Sequence, residues 1–170
     1  DCIPVMVSPN RSDHALLKYA DGKFEKIHID AVFPVLHGRN GEDGTIQGTF
    51  ALAGIPVIGC GVLSSALCMD KDRAHKLVHA AGIAIPRSCV LEKNIDESAA
   101  LAYAEEIGYP LFVKPVKAGS SYGITKVPAH TDLPAAVKLA FAYDDTVIVE
   151  EAINGSEYGC AIMGDSVLKV

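Results

Sequence analysis

Residues 111–126 read Leu-Phe-Val-Lys-Pro-Val-Lys-Ala-Gly-Ser-Ser-Tyr-Gly-Ile-Thr-Lys, a short apolar strand that runs into a loop of glycine and serine. Lys114 stands inside that strand, where an ammonium group is costly to bury unless an anion compensates its charge. Gly119 and Gly123 allow the backbone to approach a ligand closely, and the serines between them add hydroxyl donors. The stretch therefore indicates a phosphate-binding loop, or an ordinary hairpin loop beside a lysine whose charged end reaches solvent.

A second strand farther along the chain ends in acidic residues. Residues 147–157 read Val-Ile-Val-Glu-Glu-Ala-Ile-Asn-Gly-Ser-Glu. The backbone edge of such a strand end can pair with an adenine, which leaves the carboxylates of Glu150 and Glu157 for the adenine amine and the ribose hydroxyls. The alternative interpretation is a solvated strand end.

A third cluster precedes both, at residues 37–44, which read His-Gly-Arg-Asn-Gly-Glu-Asp-Gly. It follows an apolar run at 32–36, and a helical pattern at 43–53 separates it from a second apolar run at 55–58. We therefore expect a strand, helix and strand of a parallel sheet, in which ligands bind at the carboxyl ends of the strands. The alternative is a polar turn in which Asp43 caps the helix.

The remaining pattern predicts an α/β first part and an α+β second part. Asp70 is a good N-cap for a helix over 71–81, and residues 26–29 fit one more strand. Residues 10–22 are expected to be a connection or an insertion, and the first 25 residues are not placed. The later predicted elements are strands at 88–91, 111–116, 124–127, 147–151, 159–163 and 167–170, and helices at 96–107 and 132–143.

Composition limits the function classes. The 170 residues are 49% hydrophobic and carry 15 basic against 21 acidic side chains, a net charge of −6, which predicts a folded protein that binds neither nucleic acid nor membrane. The five cysteines are scattered without metal-site or redox spacing, as in a reduced, cytoplasmic protein. Since the chain opens without methionine and closes inside a strand-like run, we expect it to be a fragment incomplete at both ends.

Taken in order, the motifs resemble those of the D-alanyl-D-alanine ligases of the ATP-grasp superfamily. The resemblance spans residues 31–164 almost continuously. Tyr122, together with the phrase Cys-Met-Asp-Lys-Asp-Arg at 68–73, is most similar to vancomycin-resistance ligases that make D-alanyl-D-serine. The motifs that carry it are His-Gly-x-x-Gly-Glu-Asp-Gly-Thr-Ile-Gln-Gly, Gly-Ile-Pro-Val-Ile-Gly-Cys, Phe-Val-Lys-Pro, Gly-Ser-Ser-Tyr-Gly and Val-Glu-Glu.

This resemblance implies a cytoplasmic enzyme that uses ATP and Mg²⁺ to build a D-alanyl dipeptide for peptidoglycan. A first D-alanine would become an acyl phosphate, and a second D-amino acid would attack it. The implied architecture is the second half of a preATP-grasp-like α/β domain with a parallel sheet (1–61), a central ATP-grasp subdomain (62–149) and the start of a C-terminal subdomain (150–170). A homodimer is implied for the full-length protein.

The resemblance also assigns residues of the nucleotide site. Lys71 and Lys114 would bind phosphates, and Glu150 and Glu157 would hold the adenine amine and the ribose. Glu151 is assigned to the same nucleotide site, although it stands where the family usually has lysine. The other residues expected at the nucleotide are the closing loop Gly119, Ser120, Ser121, Tyr122 and Gly123, and the backbone of Ala152 and Ile153.

Catalytic roles toward the amino acids follow from the same likeness. Ser120 would orient a glutamate that grips the first D-alanine, and His37 and Glu42 would lie near the amino-acid subsites. No metal ligand is expected in these 170 residues, because the magnesium ligands of the family belong to a later segment. The fragment alone is therefore expected to be inactive.

Three alternatives stay open. One is a different ATP-grasp ligase that joins a carboxylate to an amine, and another is a nucleotide-binding remnant without catalysis. The third is a structural module, which would have no affinity for nucleotide. The sequence does not decide whether the second substrate is D-alanine, D-serine or D-lactate.

Overall fold

The computed structural model describes residues 3–164 and 166–168, the side chain of Glu97 excepted. The first part forms an antiparallel sheet of three strands in the order β1 (Val5–Val7), β2 (Ala15–Ala20) and β3 (Lys23–His28). Asp21 and Gly22 join the last two strands with φ angles of 48° and 75°, as a tight hairpin requires. The expectation that residues 10–22 form a connection is therefore wrong, and the Asp-Gly pair was the signal that could have corrected it.

The expected parallel sheet is reduced to a single bridge between Val32 and Val57. Val32 donates to the carbonyl of Pro56 at 2.9 Å and accepts from the N–H of Ile58 at 2.8 Å. Helix α1 (Thr45–Leu52) lies between the two, so the order and direction agree with the sequence pattern. Among the described residues no parallel ladder extends the bridge, and the strands that the first part does form are antiparallel.

The apolar run at 32–36 is also more exposed than predicted. Phe33 is 70% exposed and Val35 is 69% exposed, whereas a strand of a parallel sheet is buried on both faces. Burial of that kind needs neighbouring strands and covering helices, which one bridge and one short helix do not supply. The prediction of a buried strand at this position is therefore wrong for this chain.

Two helices connect the first part to the second. Helix α2 (Val62–Met69) was not predicted, whereas helix α3 (Lys71–Ala80) agrees with the predicted helix to within one residue. Asp70 stands between them, is 3% exposed, and accepts from the N–H of Arg73 at 3.0 Å. The predicted N-cap is confirmed.

The second part is an antiparallel sheet with helices on one face, in agreement with the α+β prediction. Its four strands lie in the order β4-β7-β5-β6. A short hairpin, β8 (Ile162–Met163) and β9 (Ser166–Val167), follows, and residues 169–170 of the predicted last strand lie outside the described part. The sheet and its helices are β4 (Ser88–Glu92), α4 (Glu97–Ile107), β5 (Leu111–Pro115), β6 (Thr125–Val127), α5 (Leu133–Ala140) and β7 (Thr146–Glu151).

One face of this sheet makes the core. Because side chains alternate along a strand, the core residues Leu111, Val113, Val147 and Val149 point toward α4 and α5. The side chains that point to the opposite face are Phe112, Lys114, Ile148 and Glu150, the last two of which are also buried. That opposite face carries the candidate site. No helix in the described ranges has the length and apolar character needed to cross a bilayer.

We expect Leu133→Ala to lower the free energy of unfolding by about 3 kcal/mol, because Leu133 is 1% exposed in the core and its truncation leaves a cavity. Leu139→Ala on the same helix is the matched control, since Leu139 is 47% exposed and should cost under about 1 kcal/mol. Urea denaturation measures both. Equal losses would contradict the placement of the core.

Candidate functional site

Lys114 and Glu150 form an ion pair on the face of the sheet opposite the core. The Nζ of Lys114 lies 2.9 Å from Oε1 of Glu150. Glu150 is 5% exposed and stands opposite Phe112 in the neighbouring strand. The sequence analysis required an anion near Lys114, and the Glu150 carboxylate is that anion. The Nζ of Lys114 also lies 5.3 Å from the ring centre of Phe112.

Lys71 approaches the same face from the first residue of α3. Its Nζ donates to the carbonyl oxygens of Ala118 at 2.8 Å and Val116 at 3.3 Å. Burial, and after it the charge of Lys114, lowers the pKa of Lys71 below the ordinary lysine value, although Glu150 and other carboxylates act in the opposite direction. Two ammonium groups that repel each other across one face fit a ligand that brings several negative charges, such as a chain of phosphates.

The loop from Gly119 to Gly123 is built from two successive turns. Tyr122 N–H donates to the Gly119 carbonyl at 3.2 Å, and Ile124 N–H donates to the Ser121 carbonyl at 3.3 Å. Ser120 and Ser121 have φ angles of 49° and 59°, a left-handed conformation that costs energy in residues with a Cβ. Strain of this kind at two adjacent serines is typical of a functional loop.

The far side of this loop packs on the turn after α5. A Cβ added to Gly123 would lie 2.6 Å from the ring of Tyr143, so a larger residue does not fit there. The rings of Tyr122 and Tyr143 lie 6.1 Å apart between centres. Tyr122 thus extends from the loop over the α5–β7 turn.

The loop at 37–44 is organised by its two acidic residues. Glu42 accepts from the N–H of Gly38 at 2.5 Å and lies 3.9 Å from Nδ1 of His37. Asp43 accepts from Asn40 and Thr45 at the start of α1, and these hydrogen bonds lower its pKa against the opposing effect of burial. Asp43 thus binds the first N–H of α1, as the helix-capping interpretation expects, although the N-cap position itself is Gly44. This leaves His37 and Glu42 as the chemical groups of the loop.

The two loops meet. A Cβ on Gly119 would lie 2.7 Å from the Cα of Gly38 and 3.4 Å from Oε2 of Glu42. Two neighbouring clefts, of about 550 Å³ and about 350 Å³, open along this contact. The structure thus brings together two predicted loops that are far apart in sequence, one at 37–44 and one at 119–123. The predicted residues that line the clefts are His37, Glu42, Lys71, Gly119, Ser120 and Tyr122.

At the acidic end of β7, the carboxylate of Glu151 binds Arg87 and not the Lys114 side. Both oxygens of Glu151 accept from Arg87, one from the backbone N–H at 3.0 Å and one from Nε at 2.8 Å. The backbone and then the side chain of Arg87 lower the pKa of Glu151. Glu151 is therefore occupied at the edge of the sheet, and Arg87 is a residue that the sequence analysis did not identify.

Farther along, the backbone after β7 turns outward. The N–H of Ala152 donates to the carbonyl of Pro110 at 3.0 Å and is thereby occupied, whereas Ile153 is 69% exposed. Glu157 is exposed on the same segment. Of the two backbone positions expected at an adenine edge, Ile153 is the more accessible.

A metal site is a separate question. Within residues 3–164 and 166–168 no group of three or more histidine, cysteine, aspartate or glutamate side chains is arranged to hold a metal ion. The expectation that magnesium ligands belong to a later segment stays a prediction.

Two family models match the chain, one in each of its parts. The model described as "D-ala D-ala ligase N-terminus" matches residues 5–60, and the one described as "D-ala D-ala ligase C-terminus" matches residues 77–170. Together the two matches include every candidate site residue named above except Lys71.

Individual proteins of the same family are similar to almost the whole chain. The chain is 47% identical over 165 residues to vancomycin B-type resistance protein VanB of Enterococcus faecalis, covering 97% of this chain and 47% of that protein. It is 49% identical over 168 residues to a D-alanine–D-alanine ligase of Caldicellulosiruptor bescii, covering 96% and 46%.

Among solved structures, the crystal structure of the VanG D-Ala:D-Ser ligase from Enterococcus faecalis matches with a TM-score of 0.87 and 57% identity, over 98% of this chain and 48% of that one. The chain spans about half the length of the relatives that it matches.

We expect Lys114→Met to lower the free energy of unfolding by about 3 kcal/mol, because it leaves the Glu150 carboxylate buried without its cation. The double variant Lys114→Met/Glu150→Gln should recover most of that loss, since it removes both charges. Denaturant unfolding of the three proteins measures the coupling.

Lys126→Met is the matched control, because Lys126 faces the same Phe112 ring from β6 but is exposed and should change stability by less than about 1 kcal/mol. A double variant no more stable than Lys114→Met would contradict the ion pair.

Proposed function

Since the chain belongs to the D-ala D-ala ligase family, we propose that the full-length protein is an ATP-dependent ligase that joins D-alanine to a second D-amino acid. The observation that carries this proposal is the placement of two lysines beside the strained serine loop (Gly119–Gly123): Lys71 donates to the carbonyls of Val116 and Ala118, and Lys114 pairs with Glu150. The product would be a dipeptide precursor of peptidoglycan.

The proposed reaction has two steps. In the first, a carboxylate oxygen of D-alanine attacks the terminal phosphorus of ATP, ADP leaves, and an acyl phosphate forms. In the second, the amine of the other D-amino acid attacks the acyl carbon, inorganic phosphate leaves with the bonding electrons, and the new amide loses the extra proton of the amine. Each ligation therefore yields one dipeptide, one ADP and one phosphate.

Phosphoryl transfer of this kind needs positive charge held in place more than it needs covalent help from the protein. Charge spreads over the oxygens of the phosphoryl group as it moves, so pre-positioned ammonium groups and N–H donors stabilise the transition state. We assign this role to Lys71 and Lys114, with the backbone and hydroxyls of Gly119 to Gly123 around the phosphates. Burial lowers the pKa of Lys71 most, and a phosphate chain would relieve the repulsion from Lys114 that lowers it further.

The nucleoside end of ATP is proposed to lie at the acidic strand end. Glu150 would accept from the adenine amine, and the exposed backbone at Ile153 would meet the adenine edge. Ala152 would contribute only its carbonyl, since its N–H is occupied. Glu157 would bind the ribose hydroxyls, and the bond from Arg87 keeps Glu151 out of the site.

The amino-acid end is proposed to lie where the two loops meet. His37 and Glu42 would line the subsites, and Ser120 would orient a residue that holds the ammonium group of D-alanine. Closure of the serine loop over this region would keep water from the acyl phosphate. The division at residues 61 and 149, the homodimer and the magnesium requirement belong to the same proposal for the full-length protein.

D-Serine is the second substrate that we favour. The 57% identity to a structure titled VanG D-Ala:D-Ser ligase supports it, as does the aromatic residue Tyr122. D-Alanine is the alternative, supported by the 49% identity to a D-alanine–D-alanine ligase.

We expect Lys71→Met to weaken ATP binding by about tenfold or more, because a charge-assisted hydrogen bond to phosphate is lost. Lys76→Met is the matched control, since Lys76 lies on the same helix and pairs with Asp72 at the surface. Isothermal titration of the chain with an ATP analogue that is not hydrolysed measures both affinities. Equal affinities in the two variants would exclude Lys71 from the phosphate site, and no binding to the unmodified chain would favour a structural module.

The full-length protein should release inorganic phosphate from Mg-ATP in the presence of D-alanine, and D-serine should stimulate that release. Mass spectrometry identifies the dipeptide. D-Alanyl-D-serine would support the resistance-type ligase, whereas D-alanyl-D-alanine alone would indicate the D-alanine-specific enzyme. No release with either amino acid would contradict the proposed ligase.

A further inference from the structure

The peptide group that joins Val116 to Lys117 is held from both of its edges. On one edge the carbonyl oxygen of Val116 accepts from the backbone N–H of Lys71 at 3.2 Å and from its Nζ at 3.3 Å. On the other edge the N–H of Lys117 donates to Oδ2 of Asp144 at 2.7 Å. The plane of this peptide is therefore fixed by one cation and one carboxylate from two different segments.

The Asp144 side chain provides the acceptor for the Lys117 N–H just beyond the end of β5. The last rung of the ladder between β5 and β7 is the bond from Val116 N–H to the Thr146 carbonyl at 3.0 Å. The next N–H along the chain, that of Lys117, donates to the Asp144 side chain and not to a strand carbonyl. Its other oxygen accepts from the N–H of Thr146 at 3.4 Å, which holds the carboxylate against the start of β7.

The hydrogen bond between Lys117 and Asp144 lies just before the Gly119–Gly123 loop, so it fixes the chain where the loop begins. Lys117 is followed by Ala118, whose carbonyl binds Lys71, and then by Gly119. The neighbour of Asp144, Tyr143, packs on the far side of the same loop. The two residues of one turn thus fix both the beginning and the end of the segment from 117 to 123.

The charge of Asp144 also interacts with the ammonium group of Lys71. It acts with Glu150 to raise the pKa of Lys71, although burial and Lys114 together keep that pKa below the ordinary value. Asp144 therefore supports Lys71 in two ways, by holding the peptide that accepts from it and by favouring its charged form.

We propose that Asp144 is a positioning residue for the phosphate site: its carboxylate fixes the Val116–Lys117 peptide and so holds the Gly119–Gly123 loop in its binding conformation. The part of this inference that concerns phosphate rests on the proposed function. The part that concerns the loop conformation does not depend on any ligand.

Asp145 provides a matched control for this inference. It carries the same side chain one position later, but its carboxylate pairs at 2.5 Å with Lys93, which directly follows β4, the edge strand next to β7. The backbone N–H of Lys93 also donates to the Asp145 carbonyl at 3.1 Å. Removing this carboxylate breaks a surface ion pair and a weaker charge interaction with the Lys117 side chain, but it keeps the hydrogen bond from the Lys117 amide to Asp144.

The first measurement is amide hydrogen exchange in the absence of nucleotide. In Asp144→Ala we expect the Lys117 amide and those of residues 119–123 to exchange about tenfold faster than in Asp145→Ala, since the donor loses a charged acceptor. Asp144→Asn keeps one carbonyl oxygen and should be intermediate. Exchange in Asp144→Ala that matches Asp145→Ala would overturn the inference.

The second measurement is steady-state kinetics of the full-length protein. Asp144→Ala should raise the KM for ATP by about fivefold or more and lower kcat less, because the phosphate loop must be ordered before ATP binds. Asp144→Asn should restore part of the affinity, and Asp145→Ala should match the unmodified protein. An unchanged KM for ATP in Asp144→Ala would overturn the phosphate part of the inference.

The two measurements separate this inference from the proposed function. An unmodified protein that binds no ATP would refute the proposed function, and the exchange rates would still decide whether Asp144 holds the loop. An unmodified protein that binds ATP, with no difference between Asp144→Ala and Asp145→Ala, would refute only the role of Asp144.

Discussion

The candidate site depends on one electrostatic constraint, which is that charged groups are held on the face of the sheet opposite its core. Glu150 is almost fully buried there, and it is tolerated because Lys114 lies 2.9 Å away. Lys71 adds a second cation whose pKa is lowered by burial and by Lys114. These two ammonium groups are the feature of the face on which the proposed phosphate site depends.

The backbone arranges the loops around that charge. Gly38 and Gly119 touch so closely that a single Cβ on Gly119 would collide, which joins the loop of the α/β part to the loop of the sheet. The serine loop keeps two residues in a left-handed conformation, and contacts from Lys71, Asp144 and Tyr143 hold the segment around them. The subsite proposed for the amino acids and the site proposed for the ATP phosphates are therefore adjacent, because the loops that line them are in contact.

The accuracy of the sequence-based predictions differs between the two parts for a physical reason. In the second part the four-stranded sheet and its helices complete a core inside the described residues, so local pattern and tertiary burial agree, and β4, α4, β5 and β7 each lie within one residue of the prediction. The hairpin β8–β9 is exposed, and of the predicted strand 159–163 only 162–163 form a strand. In the first part the apolar run at 32–36 predicted a buried parallel strand. Only one bridge forms there, because the neighbours that would bury such a strand are absent from the described part.

The amino-acid sequence by itself determined which residues could do chemistry: a lysine in an apolar strand, a glycine-serine loop, and a histidine and glutamate in a glycine-rich turn. These signals are local, since a buried charge or a strained turn restricts residue type at one position. Only the tertiary structure decided their partners. It paired Lys114 with Glu150, Glu151 with Arg87 and the Lys117 amide with Asp144, because such pairings depend on strand register and on backbone atoms, which no pattern of side chains records.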